Sequence, residues 1–224
     1  MKKIRILSIT FESKLNRSDI SAFRGAIIGK VRKDSILYHN HLQNGFRYAY
    51  PLIQYKTDGE RPMILCINDG VDEIQELFTH ENWKELQLGS KDLNLNEYRV
   101  KVHEHNVQLW SDDFQYTIYN WMALNQVNYP RYAILQTNNE QIEFLEKILI
   151  SNIISFAKGI DWHVDSTIRL HISAISKIRE TPFKGARLRT FDVRFSTNVS
   201  LPDKIGLGKG ASTGYGMIRK MKEE

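Results

Sequence analysis

The stretch that decides the fold stands near the end of the chain and reads Gly206-Leu207-Gly208-Lys209-Gly210-Ala211-Ser212-Thr213-Gly214-Tyr215-Gly216. It holds five of the 13 glycines of the protein. Glycines at this density let backbone N–H groups approach a ligand closely, and a row of such groups suits phosphate oxygens. The stretch is not a Walker A loop, because glycine follows Lys209, and a strand-like segment follows it where a dinucleotide-binding fingerprint needs a helix. It is either a flexible connector or a contact with a nucleic-acid backbone, and the basic residues Arg219 and Lys220 just beyond it favour the second interpretation.

The second half of the chain, upstream of this loop, combines strands with one long helix. Thr137 and Glu140 form a capping box at the start of that helix, and Gly159 ends it. The predicted strands are 114–122, 168–174, 191–195 and 217–220. The glycine-rich stretch stands between the last two strands, where a second helix is expected.

The first half has the same order of elements. A strand rich in β-branched residues precedes a helix with Ser18 as its N-cap, and a short amphipathic helix precedes the last strand. The predicted strands are 3–11, 46–56, 62–68 and 98–102. Strand, helix, strand, strand, helix, strand is the ferredoxin-like split βαβ pattern. The sequence therefore predicts an α+β protein of two tandem ferredoxin-like (RRM-like) domains, residues 1–110 and 111–224, the second with the glycine-rich loop near its end.

The composition is that of a globular protein, with 42% hydrophobic and 25% charged residues. Cys66 is the single cysteine, so no internal disulfide can form and a reducing cytoplasm is the expected location. The longest strongly apolar stretch, 148–157, has ten residues, about half of what a membrane span needs. We therefore expect no membrane segment, and the start of the chain indicates no signal peptide.

Positive charge is concentrated at the two ends of the chain. Residues 1–56 carry a net charge of +8, residues 57–113 carry −8, and residues 158–222 carry +8. If the ends meet in space, they form a basic surface that suits a polyanion, most plausibly a nucleic acid; otherwise these side chains simply solvate exposed faces. Arginines in the predicted hairpin of the second domain, among them Arg169, Arg187 and Arg189, could bracket an RNA backbone.

Two histidines, His39 and His41, follow the first helix, separated by Asn40. Side chains two residues apart point the same way only in an extended segment, so we place the pair in a loop or a short extended piece. A histidine can act as base or acid near neutral pH. Metal-free RNA cleavage needs one group to take the proton of the ribose 2′-OH, another to protonate the departing 5′-oxygen, and a cation to stabilise the phosphoryl oxygens. Lys30 before the pair and Tyr48 after it are placed to assist.

A His-x-His pair also suits zinc or nickel, and the same pattern recurs at His103 and His105. The sequence contains neither a CxxC nor an HExxH companion, and Cys66 offers one thiol only. We therefore predict no metal site and no cofactor, and we interpret His103 and His105 as exposed residues of a strand.

The glycine-rich stretch resembles the signature loop of the RAMP superfamily: a hydrophobic residue between two glycines, a five-residue insert with a basic residue, and a second such glycine pair near the C-terminus. Gly206-Leu207-Gly208, Lys209–Thr213 and Gly214-Tyr215-Gly216 match this pattern position by position. With two ferredoxin-like domains, the chain resembles the CRISPR-associated endoribonucleases that cut precursor CRISPR RNA at its repeats. One branch of that family has a lysine on the first helix, two histidines separated by one residue and a tyrosine soon after, which Lys30, His39, His41 and Tyr48 match.

The resemblance implies a metal-independent endoribonuclease that leaves a 2′,3′-cyclic phosphate and a 5′-hydroxyl, with these four residues as the catalytic group. Which histidine is the base stays open, as does recognition of the repeat as a hairpin or as a single strand. The implied RNA-binding residues are Gly206, Gly208, Lys209, Gly210, Ser212, Gly214, Gly216, Arg169, Arg187 and Arg189. The implied partner is CRISPR repeat RNA, and a homodimer or association with effector-complex subunits is compatible with the resemblance. The alternatives are a non-catalytic RAMP-fold subunit that binds RNA in an effector complex, and a metal-dependent nuclease.

Overall fold

The computed structural model describes residues 1–31, 50–183 and 185–221, and the backbone of 41–42 and 45–46. The chain divides into two compact units. The first unit is Lys3–His105 with Ser212–Gly214, and the second is Met1–Lys2 with Asn106–Ala211 and the residues from Tyr215 onward. Each unit contains a four-stranded sheet in the strand order of a ferredoxin-like fold, which confirms the predicted α+β class.

The first unit follows the predicted order of strands and helices in its main sheet, but the strand predicted over 46–56 runs from Ile53 to Asp58, after a separate two-residue strand at Gly45–Phe46. Its elements are β1 (Lys2–Phe11), α1 (Ile20–Ile28), β2 (His41–Leu42), β3 (Gly45–Phe46), β4 (Ile53–Asp58), β5 (Arg61–Ile67), α2 (Asp69–Glu73), α3 (Gln75–Thr79), β6 (Glu85–Leu88), β7 (Lys91–Asn94) and β8 (Tyr98–Val107). Its main sheet has the order β4-β5-β1-β8. The two central strands, β5 and β1, therefore come from the second and the first half of the split βαβ pattern. Strands β6 and β7 form a separate hairpin that the sequence did not predict.

The core of the first unit lies between this sheet and α1. Phe23 of α1 is fully buried, with its ring edge-on to Phe11 of β1 at 6.2 Å and to Tyr55 of β4 at 6.0 Å. Such aromatic pairs stabilise a core beyond the area that they bury. The predicted N-cap at Ser18 is wrong. A 3₁₀ turn precedes α1, Asp19 is its N-cap residue, and the Asp19 carboxylate instead accepts a hydrogen bond from Lys91 at 3.0 Å.

The second unit has one long helix and four strands. Its elements are β9 (Leu109–Trp121), α4 (Asn128–Ala133), α5 (Asn138–Gly159), β10 (Leu170–Phe183), β11 (Ala186–Val199) and β12 (Met217–Lys220). Its sheet has the order β10-β11-β9-β12. Among the residues that the structure describes between β11 and β12, the helical element is a single 3₁₀ turn, Ala211–Thr213. The second helix of the ferredoxin-like pattern is therefore replaced, as the sequence predicts.

Helix α5 covers one face of this sheet. Its apolar stripe is fully buried and consists of Leu145, Leu149, Ile153 and Phe156. The capping box is present: Thr137 Oγ1 accepts from the Glu140 N–H at 3.2 Å, and Glu140 accepts from the Thr137 N–H at 2.9 Å. These bonds hold the pKa of Glu140 below its usual range. Across residues 1–31, 50–183 and 185–221, we find no helix with the length and apolar character of a membrane span.

Replacing Thr137 by alanine removes the side-chain cap of α5. We expect the free energy of unfolding at pH 7 to fall by about 1 kcal/mol in chemical denaturation. Ser155→Ala, at an exposed position of the same helix, is the matched control and should change the value by less than about 0.5 kcal/mol. Equal losses in the two variants would contradict the capping role.

Candidate functional site

Lys30 lies just beyond α1 rather than on it. The helix ends at Ile28, and the next residues continue in a tightened turn, in which the Lys30 N–H donates to the Ile27 carbonyl at 3.0 Å. The Lys30 side chain is half-buried. The turn fixes the backbone of this lysine immediately before the segment that carries the histidines.

The predicted catalytic residues His39 and Tyr48 lie outside the described residues. The backbone of His41 begins β2, which pairs antiparallel with β3, and His41 stands opposite Phe46. The backbone at His41 is therefore extended, in agreement with the short extended piece that the sequence predicts for this position.

Three buried residues, the first of them two positions after Tyr48, are joined by side-chain hydrogen bonds, and we call this set the buried polar chain. Lys56 Nζ donates to Gln54 Oε1 at 2.7 Å, and Gln54 Nε2 donates to the Tyr50 hydroxyl at 2.8 Å. Lys56 is 1% exposed and Gln54 is fully buried. Burial raises the pKa of Tyr50, so its hydroxyl stays neutral. Sequence reasoning missed this chain because a lysine next to a turn is typical of an exposed position.

The glycine-rich loop, which we define as residues 206–216, brings its two glycine pairs together. The Leu207 N–H donates to the Gly216 carbonyl at 2.8 Å, and Gly206 forms a β-bridge with Met217. Leu207 is fully buried. Gly216 has a φ of +62°, and a Cβ there would overlap the Leu207 carbonyl oxygen. A side chain at this position would therefore force the two glycine pairs apart.

The first glycine pair and the lysine that follows it pack within the second unit. A Cβ at Gly208 would lie 2.6 Å from Asn152 Oδ1 of α5, and the same oxygen accepts a hydrogen bond from Trp121 Nε1 at 2.8 Å. Lys209 is exposed, with its ammonium 5.5 Å from the centre of the Phe183 ring. The loop thus fixes the backbone from which the exposed Lys209 side chain extends. The sequence offers no signal for the role of Asn152, which has the pattern of an ordinary polar helix residue.

Residues Ser212–Gly214 of the loop belong to the first unit. The Gly214 carbonyl accepts a hydrogen bond from Arg17 Nη2 at 2.9 Å, and a Cβ at Gly214 would lie 2.9 Å from Ile20 Cδ1. Ser212 is half-buried in the same unit.

The loop is a packed element, so the flexible-connector interpretation is wrong. Four of its N–H groups donate to backbone carbonyls and are not available to a phosphate; they belong to Leu207, Ala211, Tyr215 and Gly216. The row of open N–H groups that the sequence suggested is therefore interrupted at these four positions. The loop's exposed chemistry is carried by Lys209.

The arginines of the second unit differ in the contacts that they make with neighbouring side chains. Arg169 pairs with Asp113 at 2.8 Å, and Arg189 lies over the Tyr129 ring at 5.5 Å. Arg187 keeps 78% of its side chain exposed and lies 3.9 Å from Glu180. Arg179 makes a bidentate pair with the buried Asp192, at 3.0 and 2.5 Å, which raises the pKa of Arg179. Arg187 is therefore open to a polyanion, whereas Arg179 has a structural role.

Among the remaining histidines, His171 Nδ1 lies 3.2 Å from Glu146 Oε1. Across the described ranges, no group of three histidine, cysteine, aspartate or glutamate side chains is arranged to hold a metal ion. His103 is exposed on strand β8, as expected, whereas His105 on the same strand is half-buried.

Models of one protein family match nearly the whole chain. The Cas6b N-terminal domain matches residues 2–106, and the Cas6b C-terminal domain matches residues 108–221. An uncharacterized protein of Methanocaldococcus jannaschii is 30% identical over 148 residues, which is 62% of this chain and 99% of that protein.

Solved structures share the fold over the full length. A crystal structure of Cas6b has a TM-score of 0.87 and 27% identity, covering 98% of this chain and 100% of that one. A second, of the CRISPR RNA processing endoribonuclease Cas6b, has a TM-score of 0.74 and 24% identity over the same shares. Csf5, a type IV Cas6 crRNA endonuclease, has a TM-score of 0.64 and 13% identity, covering 99% of this chain and 100% of that one.

Replacing Gly216 by alanine should open the loop. The new Cβ would overlap the Leu207 carbonyl at a positive φ, so we expect a loss of unfolding free energy clearly larger than the roughly 1–2 kcal/mol that a left-handed alanine costs. Gly185→Ala is the matched control, because Gly185 also has a positive φ (+79°) but no atom within 4 Å of its added Cβ. Thermal and chemical denaturation measure both variants, and equal losses would show that the close approach to Leu207 is unimportant.

Proposed function

Because this chain belongs to the Cas6b family of CRISPR RNA processing endoribonucleases, we propose that it cleaves CRISPR precursor RNA within the repeat, without a metal ion, to produce mature guide RNA. The observation that carries the proposal is the match of both family domains, which together span residues 2–106 and 108–221. The histidine pair that follows α1 supplies groups of the right type for the chemistry.

The proposed reaction is an attack within the RNA chain. One histidine of the pair His39 and His41 takes the proton of a ribose 2′-OH, and the 2′-oxygen forms a bond to the adjacent phosphorus. The bond from phosphorus to the 5′-oxygen breaks, and the other histidine gives that oxygen a proton. The products are a 2′,3′-cyclic phosphate and a 5′-hydroxyl, and no water or external reactant is consumed.

Lys30 and Tyr48 complete the proposed catalytic group. Negative charge gathers on the phosphoryl oxygens in the transition state, and a fixed ammonium there stabilises it more than in the ground state. The turn after α1 restrains the Lys30 backbone. Tyr48 precedes the buried polar chain by two residues, and its hydroxyl orients the scissile phosphate.

The substrate RNA is proposed to be held by the glycine-rich loop and the arginines of the second unit. Lys209 and Arg187 are exposed cations available to phosphates. Arg169 and Arg189 are proposed to exchange part of their contacts with Asp113 and Tyr129 for the RNA. The glycines and Ser212 shape the loop that presents Lys209. The proposed partner is CRISPR repeat RNA.

A single 2′-deoxy substitution tests the attack by the 2′-hydroxyl. In EDTA, we expect the protein to cut a cognate repeat RNA and to leave uncut the same RNA with one 2′-deoxyribose at the cleavage position. Gel analysis with end-group mapping measures both. Loss of cutting in EDTA would instead indicate a metal-dependent nuclease, and cutting of the deoxy substrate would contradict the proposed chemistry.

The double variant His39→Ala/His41→Ala tests the assignment of the histidines. Because general acid–base catalysis contributes about 10²–10⁴-fold per group, we expect cleavage to fall at least that far while RNA affinity changes little. His103→Ala/His105→Ala, the same pattern on β8, is the matched control and should cut normally. Unchanged cutting by the first variant would remove the pair from the mechanism. Tight RNA binding by the unaltered protein with no cleavage would favour the non-catalytic RAMP-fold subunit.

A further inference from the structure

The sheet of the second unit has one face that α5 does not cover. Along β9, Tyr116 and Ile118 are buried on the helix side, so Thr117 and Tyr119 point to the opposite side. The central strands of this sheet are β11 and β9. A four-stranded sheet of this kind presents the same open face that RRM domains use to stack unpaired bases.

Two arginines flank Thr117 in a single row across the open face. Arg194 of β11 and Arg219 of β12 are both in register with Thr117. Since neighbouring strands lie about 4.8 Å apart, the α-carbons of the two arginines are separated by roughly 10 Å. The threonine between them is short and 8% exposed, so it forms the floor between two long cationic side chains.

An aromatic ring stands two residues beyond Thr117, on the same face of β9. Tyr119 is 39% exposed and in register with Met217. The space beside it is an open groove of about 520 Å³, lined also by Ser176, Lys220 and Met221. This groove, which we call the sheet groove, combines a ring with cations on either side.

The charge of the sheet groove is positive. Its lining holds Arg194, Arg219 and Lys220 and no carboxylate. Asp203 lies 3.5 Å from Arg219 and neutralises part of that charge. Within the described part of the chain, no carboxylate oxygen lies within 4.0 Å of the Arg194 guanidinium, and Arg194 is exposed. Arg194 is thus available to a ligand.

We propose that the sheet groove binds an unpaired stretch of the substrate RNA, with a base stacked on Tyr119, a phosphate on Arg194, and further positive charge from Arg219 and Lys220. This proposal rests on the proposed function and specifies which form of RNA this face takes. A paired base has no open face for Tyr119, whereas every unpaired base has a π-face that stacks on an aromatic ring. A free phosphate ion would use the arginines but not the ring.

Binding of a labelled single-stranded RNA tests the sheet groove. Fluorescence anisotropy with a fluorescein-labelled uridine 12-mer should show at least about fivefold weaker affinity for Tyr119→Ala and nearly normal affinity for Tyr119→Phe, which keeps the stacking ring. A blunt RNA duplex of the same length should bind the three proteins equally. Equal affinity of all three for the 12-mer would overturn the proposal, as would an equal loss with the duplex.

The salt dependence tests the phosphate contact of Arg194. For Arg194→Ala, the slope of log K against log salt should fall by about 0.7, the contribution of one phosphate on a single strand. Lys147→Ala, an exposed cation on α5, is the matched control and should leave the slope unchanged. A slope that is equal in the two variants would overturn the assignment of Arg194.

These measurements report binding and not cleavage, so they separate the two proposals. If the protein binds RNA but never cuts it, the proposed mechanism is wrong, whereas the effect of the Tyr119 and Arg194 variants on RNA affinity can still be measured. If cutting proceeds as proposed and the Tyr119 and Arg194 variants bind the 12-mer normally, the sheet groove alone is refuted.

Discussion

The backbone hydrogen bond from Leu207 to Gly216 is the constraint on which the second unit depends. It joins the two glycine pairs at 2.8 Å and leaves no room for a side chain at Gly216. Because the pairs meet, the chain reverses without a helix, and the residues that follow can extend β12 along β9. A ferredoxin-like sheet needs its fourth strand at that edge. Here a close approach of two backbone segments performs the return that a helix performs in the first unit.

Much of this fold could be predicted from hydrophobic periodicity and from the residues that begin and end helices. The capping box at Thr137 and Glu140 marks the start of α5, and the glycine-rich loop stands where the structure has no second helix. The local sequence predicts the structure wrongly where a tertiary contact determines it. Ser18 has the residue type of an N-cap, yet a 3₁₀ turn precedes α1, so the N-cap residue is Asp19 and the helix begins at Ile20. A chain of glycines likewise reads as flexible, because sequence does not show that the partners of Gly208 are Asn152 and Trp121.

For the candidate site, the sequence likewise predicts the chemistry of the residues better than their placement. The residue types of His39 and His41 and their spacing suffice to predict acid–base chemistry, since few other side chains titrate near neutral pH. Burial, by contrast, is a property that the sequence predicts poorly for polar residues. Lys56 illustrates this: the residue is 1% exposed, and its ammonium donates to Gln54, which in turn donates to Tyr50. A polar chain without access to water holds its members in one arrangement, because each broken hydrogen bond leaves a buried group unsatisfied.

A packed glycine-rich loop has a consequence for RNA binding that a flexible one would not have. Ordering a mobile segment on binding opposes association, whereas a segment that is already fixed avoids that cost. In the loop, Leu207 and Ala211 are buried and the glycines fit against their neighbours, so Lys209 extends into solvent from a backbone that is already in place. The same holds for Tyr119 and Arg194, which stand on the two central strands of a sheet. Positive charge on rigid elements favours a defined path for the polyanion, and this is the property that the proposed cleavage at one position of a repeat requires.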